Sequence, residues 1–132
     1  MIALDTHALV WWVSAPENIP AKVRRLLDAQ RSSGGVAVSS ISAWEIAMLV
    51  ERGRLELTIE VEAWITALES LSFLRFIPVD NRIALHAVRL AGFPHGDPAD
   101  RIITATAISL NATLVTADKR LRAYAPLQTM WD

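Results

Sequence analysis

The sequence predicts an α/β fold in which helices flank a central, mostly parallel, twisted sheet of about four or five strands. Short apolar runs alternate with longer segments of helical periodicity along the 132 residues. Strands separated by helices need crossover connections, which give parallel sheets covered on both faces. Hydrophobic residues make up 52% of the chain, enough for a substantial core. The turn at residues 32–35 and the loop at residues 92–98 are too short to separate domains, so residues 1–132 are predicted to form a single domain.

The individual elements follow from apolar patterning and from the turn residues that bound each segment. Strands are predicted at residues 2–4, 36–38, 73–79 and 113–116, with residues 127–130 as a further short candidate. Helices are predicted at residues 7–13, 21–30, 42–52, 61–71, 82–90 and 98–110. Pro20 and Pro98 suit helix starts, whereas Gly53 and Gly92 suit helix ends.

Composition excludes several classes of protein. There are 13 Lys and Arg against 14 Asp and Glu, so the chain lacks a strongly basic coat for nucleic acid. The absence of cysteine excludes disulfides, thiolate metal sites and cysteine catalysis. No apolar run approaches the ~20 residues that span a bilayer, so no membrane association is expected. The start MIALD has no basic region typical of a secretory signal, and a cytoplasmic protein is expected.

Two aspartates follow predicted strands. Asp5 comes directly after the first strand, and Asp118 comes shortly after the strand at residues 113–116. Ligands of open α/β sheets bind beyond the carboxyl ends of the strands, where both side chains are expected. Aspartate is also a good N-cap for a following helix, so a purely structural role is open for each.

Glu45 is a third acid that needs an explanation. The apolar stripe of its helix consists of Ile41, Trp44, Met48 and Leu49. This stripe is predicted to be the buried face, and Glu45 falls inside it. Burying a carboxylate is costly unless it is paired or binds a metal. An arginine partner is therefore the alternative to a functional role, and the available arginines are Arg82, Arg89 and Arg101.

The segment HGDPADR, at residues 95–101, contains two more acids. Asp97 followed by Pro98 is a strong helix-start signal, in which the carboxylate accepts hydrogen bonds from free amides. Asp100 would then be the third helical residue, where an acid can also serve the cap. It shares a helix face with Ile103 and Ala107, however, and that face is predicted to turn toward the sheet.

Four acids are thus expected near one edge of one sheet. They are Asp5, Glu45, Asp100 and Asp118. Like charges brought together raise one another's pKa unless cations neutralise them. With oxygen ligands and no cysteine, the fitting ions are Mg²⁺ or its substitute Mn²⁺. Such carboxylate sites are typical of phosphodiester hydrolysis.

The chain resembles the PIN-domain ribonucleases, and more narrowly the VapC-type toxins of bacterial type II toxin–antitoxin systems. The matching segments are ALDTHALVWW, SSISAWEIAML, HGDPADRIITATA and LVTADKRL. They occur in the family's order and spacing up to about Leu121, which is nearly the whole chain. The most specific part is the pattern HxDPxDRxIxATA followed by TAD. His7 departs from the commonest form, in which serine stands at this position.

The resemblance implies a PIN-like three-layer fold and a metal-dependent catalytic site. It implies that the catalytic and metal-binding residues are Asp5, Glu45, Asp100 and Asp118, supported by Thr6 and Thr116. Asp97 matches an acid frequent in this subgroup and is either a fifth ligand or only the helix cap. The implied activity is Mg²⁺-dependent endonucleolytic cleavage of RNA. The implied partners are a VapB-type antitoxin and a second copy of the chain, in a homodimer and in toxin–antitoxin hetero-oligomers.

Several alternatives stay open at this stage. Candidate contacts to substrate phosphate are Arg101, Lys119, Arg120 and His95, each of which has an ordinary surface or packing role as its alternative. A PIN-like nuclease acting on DNA flaps or single strands is a near alternative. A catalytically silent module that binds a partner is another. A phosphoacceptor of the receiver type matches poorly, because the central strand at residues 36–38 is followed by Ser39 rather than by aspartate.

Overall fold

A computed structural model describes residues 1–94 and 96–132 of the chain. Its centre is a five-stranded sheet in the order β3-β2-β1-β4-β5. The strands are β1 (Ile2–Leu4), β2 (Val36–Ser39), β3 (Leu74–Ile77), β4 (Thr113–Val115) and β5 (Thr129–Met130). The helices are α1 (Thr6–Ser14), α2 (Ala21–Ala29), α3 (Ile41–Glu51), α4 (Val61–Glu69), α5 (Asn81–Val88), α6 (Pro98–Ser109) and α7 (Lys119–Arg122).

All strand pairings are parallel. Ile2 of β1 is aligned with Val36 of β2 on one side and with Thr113 of β4 on the other. The outer pairs, β2 with β3 and β4 with β5, run in the same sense. The predicted α/β class with a mostly parallel sheet is therefore confirmed, since a crossover through at least one helix joins each consecutive pair of strands.

Two apolar layers, one on each face of the sheet, arise from the alternation of side chains along each strand. Leu4, Val38 and Val115 face a cluster that includes residues of α1, α2 and α4. Their neighbours Ala3, Ala37 and Leu114 face the opposite cluster with α6, α7 and the segment that precedes β5. Small alanines on the second face leave room for α6, and α5 packs against α6 in a cluster that also includes Ile77 of β3. The result is the three-layer arrangement that the sequence predicts.

The strand order reverses at the centre of the sheet. From β1 the chain adds β2 and β3 on one side and then returns to add β4 and β5 on the other. The carboxyl ends of β1 and β4 are therefore adjacent at a topological switch point, where open parallel sheets bind their ligands.

One sequence interpretation is wrong. Trp44, predicted in the buried stripe of α3, has 59% of its surface exposed, whereas Ser42 and Ile46 are the buried residues of this helix. Every position of α3 except Glu45 and Glu51 carries an apolar or small side chain, so periodicity alone does not identify the face that packs. The short helix α7 was also not predicted, because four residues carry no helical period. Within residues 1–94 and 96–132, no helix is long and apolar enough to cross a membrane.

Candidate active site

An open cavity of about 420 Å³ lies at the switch point between β1 and β4. Its acidic residues are Asp5, Glu45, Asp97, Asp100 and Asp118. Thr6, His7, Trp11 and Ala117 complete the wall. We call this space the acid-lined cavity. The structure thus brings together the four acids expected to converge and also the helix-capping Asp97.

Asp5 is held in place by the strand before it and the helix after it. It is buried, with 8% of its surface exposed, and its Oδ1 accepts a hydrogen bond of 2.9 Å from the Ala8 amide at the start of α1. The Thr116 hydroxyl, which is fully buried, provides a further hydrogen bond. Burial raises the pKa of the Asp5 carboxyl, and the hydrogen bonds from Thr116 and Ala8 offset part of that rise.

Thr116 connects two of the acids. Its Oγ1 accepts a 3.1 Å hydrogen bond from the Asp118 amide and the same side chain hydrogen-bonds Asp5. Asp118 in turn caps α7, because its Oδ1 accepts hydrogen bonds from the amides of Arg120 at 2.8 Å and Leu121 at 3.2 Å. Asp118 and Asp5 therefore each cap a helix, as the structural alternative predicts, and each also lines the cavity.

Glu45 is bound by a hydroxyl rather than by an arginine. The Thr6 hydroxyl donates to Glu45 Oε1. Because that hydroxyl has only one proton, Ser42 donates in the 2.9 Å bond between the two hydroxyl oxygens when Glu45 is ionised. Burial raises the pKa of the Glu45 carboxyl; the Thr6 hydrogen bond lowers it and the charge of Asp97 raises it further. Ser42, which the sequence analysis overlooked, thus orients the group that holds Glu45.

The arginine alternative for Glu45 is not found in the described part of the chain, where no ion pair to this carboxylate exists. Arg101 instead donates to the Ala87 carbonyl at 3.0 Å and lies over the ring of Phe93, 5.1 Å from its centroid. These contacts join α6 to α5 and to the loop that precedes α6. Within the described residues, Glu45 therefore lines the cavity without an arginine partner.

Asp97 is a helix cap, as the sequence predicts. Its Oδ1 accepts hydrogen bonds from the amides of Ala99 at 2.9 Å and Asp100 at 3.2 Å, with Pro98 as the first helical residue. This start sets the phase of α6, so that Ile103 and Ala107 are buried against the sheet while Asp100, on the same side one turn earlier, reaches the cavity. The helix start at Asp97 therefore determines both the capping hydrogen bonds and the position of Asp100 in the cavity.

Besides burial, the charges of all four other acids of the cavity raise the pKa of Asp100. Burial, followed by the negative charges of the other four acids, raises the pKa of its carboxyl to about 7. These charges act in the order Asp97, Glu45, Asp118 and Asp5. Near neutral pH this carboxyl is therefore partly protonated, and a cation beside it would favour the ionised form.

Lys119 and Arg120, two further candidate contacts to phosphate, lie outside the wall of the cavity. Arg120 Nε is 3.9 Å from Asp118 Oδ1 on an exposed surface, and Lys119 lines a separate pocket described below. His95 lies outside the described residues. The helical setting of Trp11 predicts a role in packing or in a groove for a dimer or antitoxin partner, and its spacing of four from His7 places both on one face of α1. Their rings are 5.8 Å apart, and both line the cavity.

The donor set fits a hard divalent cation in its chemistry. The wall offers carboxylate oxygens, without thiolates, which is what Mg²⁺ and Mn²⁺ prefer. As the side chains stand, no group of three metal-ligating residues within residues 1–94 and 96–132 has the spacing of a complete coordination site. The metal site therefore stays a prediction that the chemistry of the wall supports.

Comparison with known proteins identifies close relatives. The PIN-domain family profile matches residues 2–127. Ribonuclease VapC22 from Mycobacterium tuberculosis is 35% identical over 123 residues, which are 93% of this chain and 91% of that protein. VapBC-1 of nontypeable Haemophilus influenzae is 26% identical with a TM-score of 0.65, and 98% of this chain aligns with 97% of that one. VapBC2 of Rickettsia felis, bound to promoter DNA, shares the fold over 100% of both chains, with a TM-score of 0.72 and 22% identity.

Replacing Asp100 by Asn should stabilise the cation-free protein, and more so at higher pH. The folded-state pKa of about 7 is far above the ordinary value of 3.8. The contribution of the Asp100 carboxyl to wild-type stability is therefore greatest below about pH 4, falls as the pH rises to about 7 and then levels off. Asn carries no charge and avoids this loss. Thermal unfolding in EDTA should show a larger gain for Asp100→Asn at about pH 8 than at about pH 5.

The control is Asp80→Asn, since Asp80 caps α5 outside the cavity. It should lack the gain that grows with pH. A gain for Asp100→Asn of the same size at both pH values would contradict the electrostatic explanation.

Asp97→Ala should be less stable than Asp97→Asn by about 0.5–2 kcal/mol. Both substitutions remove the same charge beside Asp100. Only Asn keeps an oxygen that accepts hydrogen bonds from the amides of Ala99 and Asp100. Urea denaturation of the two variants measures the difference. Equal free energies of unfolding would mean that the cap contributes nothing to stability.

Proposed function

This chain belongs to the PIN-domain family, and we propose that it is a metal-dependent endoribonuclease that acts as the toxin of a toxin–antitoxin pair. The observation that carries the proposal is the convergence of five acids on one cavity at the switch point of the sheet. The relative named Ribonuclease VapC22, 35% identical over most of the chain, supports RNA as the substrate. Such a substrate and partner would place the protein in the cytoplasm.

The residues that would hold Mg²⁺, or Mn²⁺ in its place, are Asp5, Glu45, Asp100 and Asp118, with Asp97 as a fifth candidate. A bound divalent cation lowers the pKa of an attacking water and stabilises charge on the phosphate and leaving oxygens. Burial and the charges of the other acids raise the pKa of Asp100. A bound cation would offset this effect by stabilising the ionised carboxylate.

The chain's own residues orient the proposed ligands. The Thr116 hydroxyl, by hydrogen-bonding Asp5, and the Thr6 hydroxyl, by donating to Glu45, offset part of the rise in pKa that burial causes. Amides at the starts of α1 and α7 also hydrogen-bond the carboxylates of Asp5 and Asp118. Each carboxylate is thereby fixed in position before substrate arrives, which reduces the cost of ordering the site.

An antitoxin partner is proposed from the assemblies of the structural relatives. The related structures from Rickettsia felis and Haemophilus influenzae are VapBC assemblies, and a toxin–antitoxin complex from Klebsiella pneumoniae shares the fold with a TM-score of 0.62. We propose that this chain likewise forms a homodimer and binds a VapB-type antitoxin. Exposed apolar side chains such as Trp44, Leu85 and Val88 are available for such contacts.

Asp5→Asn and Asp100→Asn should each lower Mg²⁺-dependent RNA cleavage at least about a hundredfold, because each removes a charged ligand. Purified variants are compared by gel assay on cellular RNA, with circular dichroism to verify folding. Asp80→Asn, which also changes a capping aspartate, should retain wild-type activity. Cleavage at the wild-type rate by either folded cavity variant would refute the proposed site.

RNA should be cleaved in strong preference to DNA of the same sequence. Matched single strands, and a DNA flap, are incubated with the protein and Mg²⁺, and products are resolved at nucleotide resolution. Faster cleavage of the DNA would favour the flap or single-strand nuclease. No cleavage of any substrate, together with no Mg²⁺ or Mn²⁺ binding by calorimetry, would favour a silent partner-binding module.

A further inference from the structure

A second open pocket, of about 720 Å³, lies beside the acid-lined cavity at the β5 edge of the sheet. Three basic residues line it: Lys22 of α2, and Lys119 and Arg122 of α7. Trp131, which follows β5, forms part of the same wall. We call this space the basic pocket. No step of the proposed cleavage uses it.

The basic pocket and the acid-lined cavity have neighbouring wall residues. Trp11 lines the cavity and Trp131 lines the basic pocket, and the centroids of their rings are 5.7 Å apart. Asp118 and Lys119, adjacent in sequence, likewise contribute one residue to each space. Because β4 and β5 are parallel, the residues that follow them, Asp118, Lys119 and Trp131, lie at the same edge of the sheet. A chain leaving the acids in this direction meets two indole rings and then the lysines.

The charges of the basic pocket are available to an anion. Within the described residues, neither Lys22 nor Lys119 lies within ion-pair distance of a carboxylate, and both are exposed. Arg122 differs, because it pairs with Asp132. Lys22 and Lys119 therefore bring two positive charges to this wall, to which Asp132 also belongs.

We propose that the RNA strand next to the scissile phosphodiester crosses Trp11 and Trp131 and enters the basic pocket, where Lys22 and Lys119 bind its phosphates. The inference rests on the proposed ribonuclease function and identifies where that substrate is held. The acids repel phosphates, so affinity for the strand has to come from groups beyond them. Stacking on aromatic rings combined with cations along the backbone is the general way in which proteins bind single strands.

The test measures binding rather than cleavage. An Asp100→Asn parent, which should leave RNA intact, is titrated against a labelled single strand of about ten nucleotides by fluorescence anisotropy at several salt concentrations. Lys22→Ala and Lys119→Ala should each reduce the slope of log affinity against log salt by about 0.7, and the double variant by about 1.4. Arg25→Ala is the matched control, since Arg25 is exposed on the same helix outside the pocket. Its slope should equal that of the parent.

Trp131 provides an independent readout. Trp131→Ala should weaken binding about fivefold or more, whereas Trp131→Phe should retain most of the affinity because a ring remains for stacking. Trp131 also packs against the core, so thermal melts of both variants accompany the binding data. Equal, small losses of affinity in two folded variants would count against stacking.

The outcomes separate this inference from the proposed function. The inference would be overturned if both lysine variants had the same slope of log affinity against log salt as Arg25→Ala. This holds even if the wild type cleaves RNA. Normal RNA binding combined with loss of binding to a purified antitoxin would also overturn it and assign the pocket to a protein. If the wild type leaves RNA uncut in Mg²⁺ but the lysine-dependent slope persists, the proposed function fails and the strand-binding pocket stands.

Discussion

Burial of neighbouring carboxyl groups beside the carboxyl ends of β1 and β4 is the constraint on which this site depends. Burial, followed by the negative charges of the other four acids, raises the pKa of Asp100 to about 7, and burial is also the largest cause of the raised pKa of Asp5 and of Glu45. The fold tolerates this cost because hydroxyl and amide groups hydrogen-bond the carboxylates. Thr116 contacts Asp5 and Asp118, and Thr6 contacts Glu45. The hydroxyl residues are therefore as much a part of the site as the acids.

The helix caps that stabilise the fold also position the acids. Asp5, Asp97 and Asp118 each cap a helix and each line the cavity. A cap sets where a helix begins and hence which side chains face the sheet. In α6 this places Ile103 in the core and Asp100 in the cavity. The capping role of these aspartates and their position in the cavity thus follow from the same local geometry.

Sequence reasoning succeeded where the signals are local. Glycine, proline and aspartate mark the ends of the elements, so the strands and longer helices lie close to their predicted positions. It failed on α3, because an almost uniformly apolar helix has no face that stands out, and Trp44 proved exposed. It also left open whether an arginine pairs with Glu45. Arg101 was one of the candidate partners, whereas the actual partner is the Thr6 hydroxyl.

The sequence by itself determined the α/β class, the capped start of α6 and the set of acids expected at one sheet edge, because periodicity, capping and strand ends are properties of neighbouring residues. Only the tertiary structure decided that Thr116 and the Thr6–Ser42 pair hold these acids. It alone placed Trp11 beside Trp131 and Lys22 beside Lys119. These pairs come from segments far apart in the chain, and their distances depend on how helices pack against the sheet.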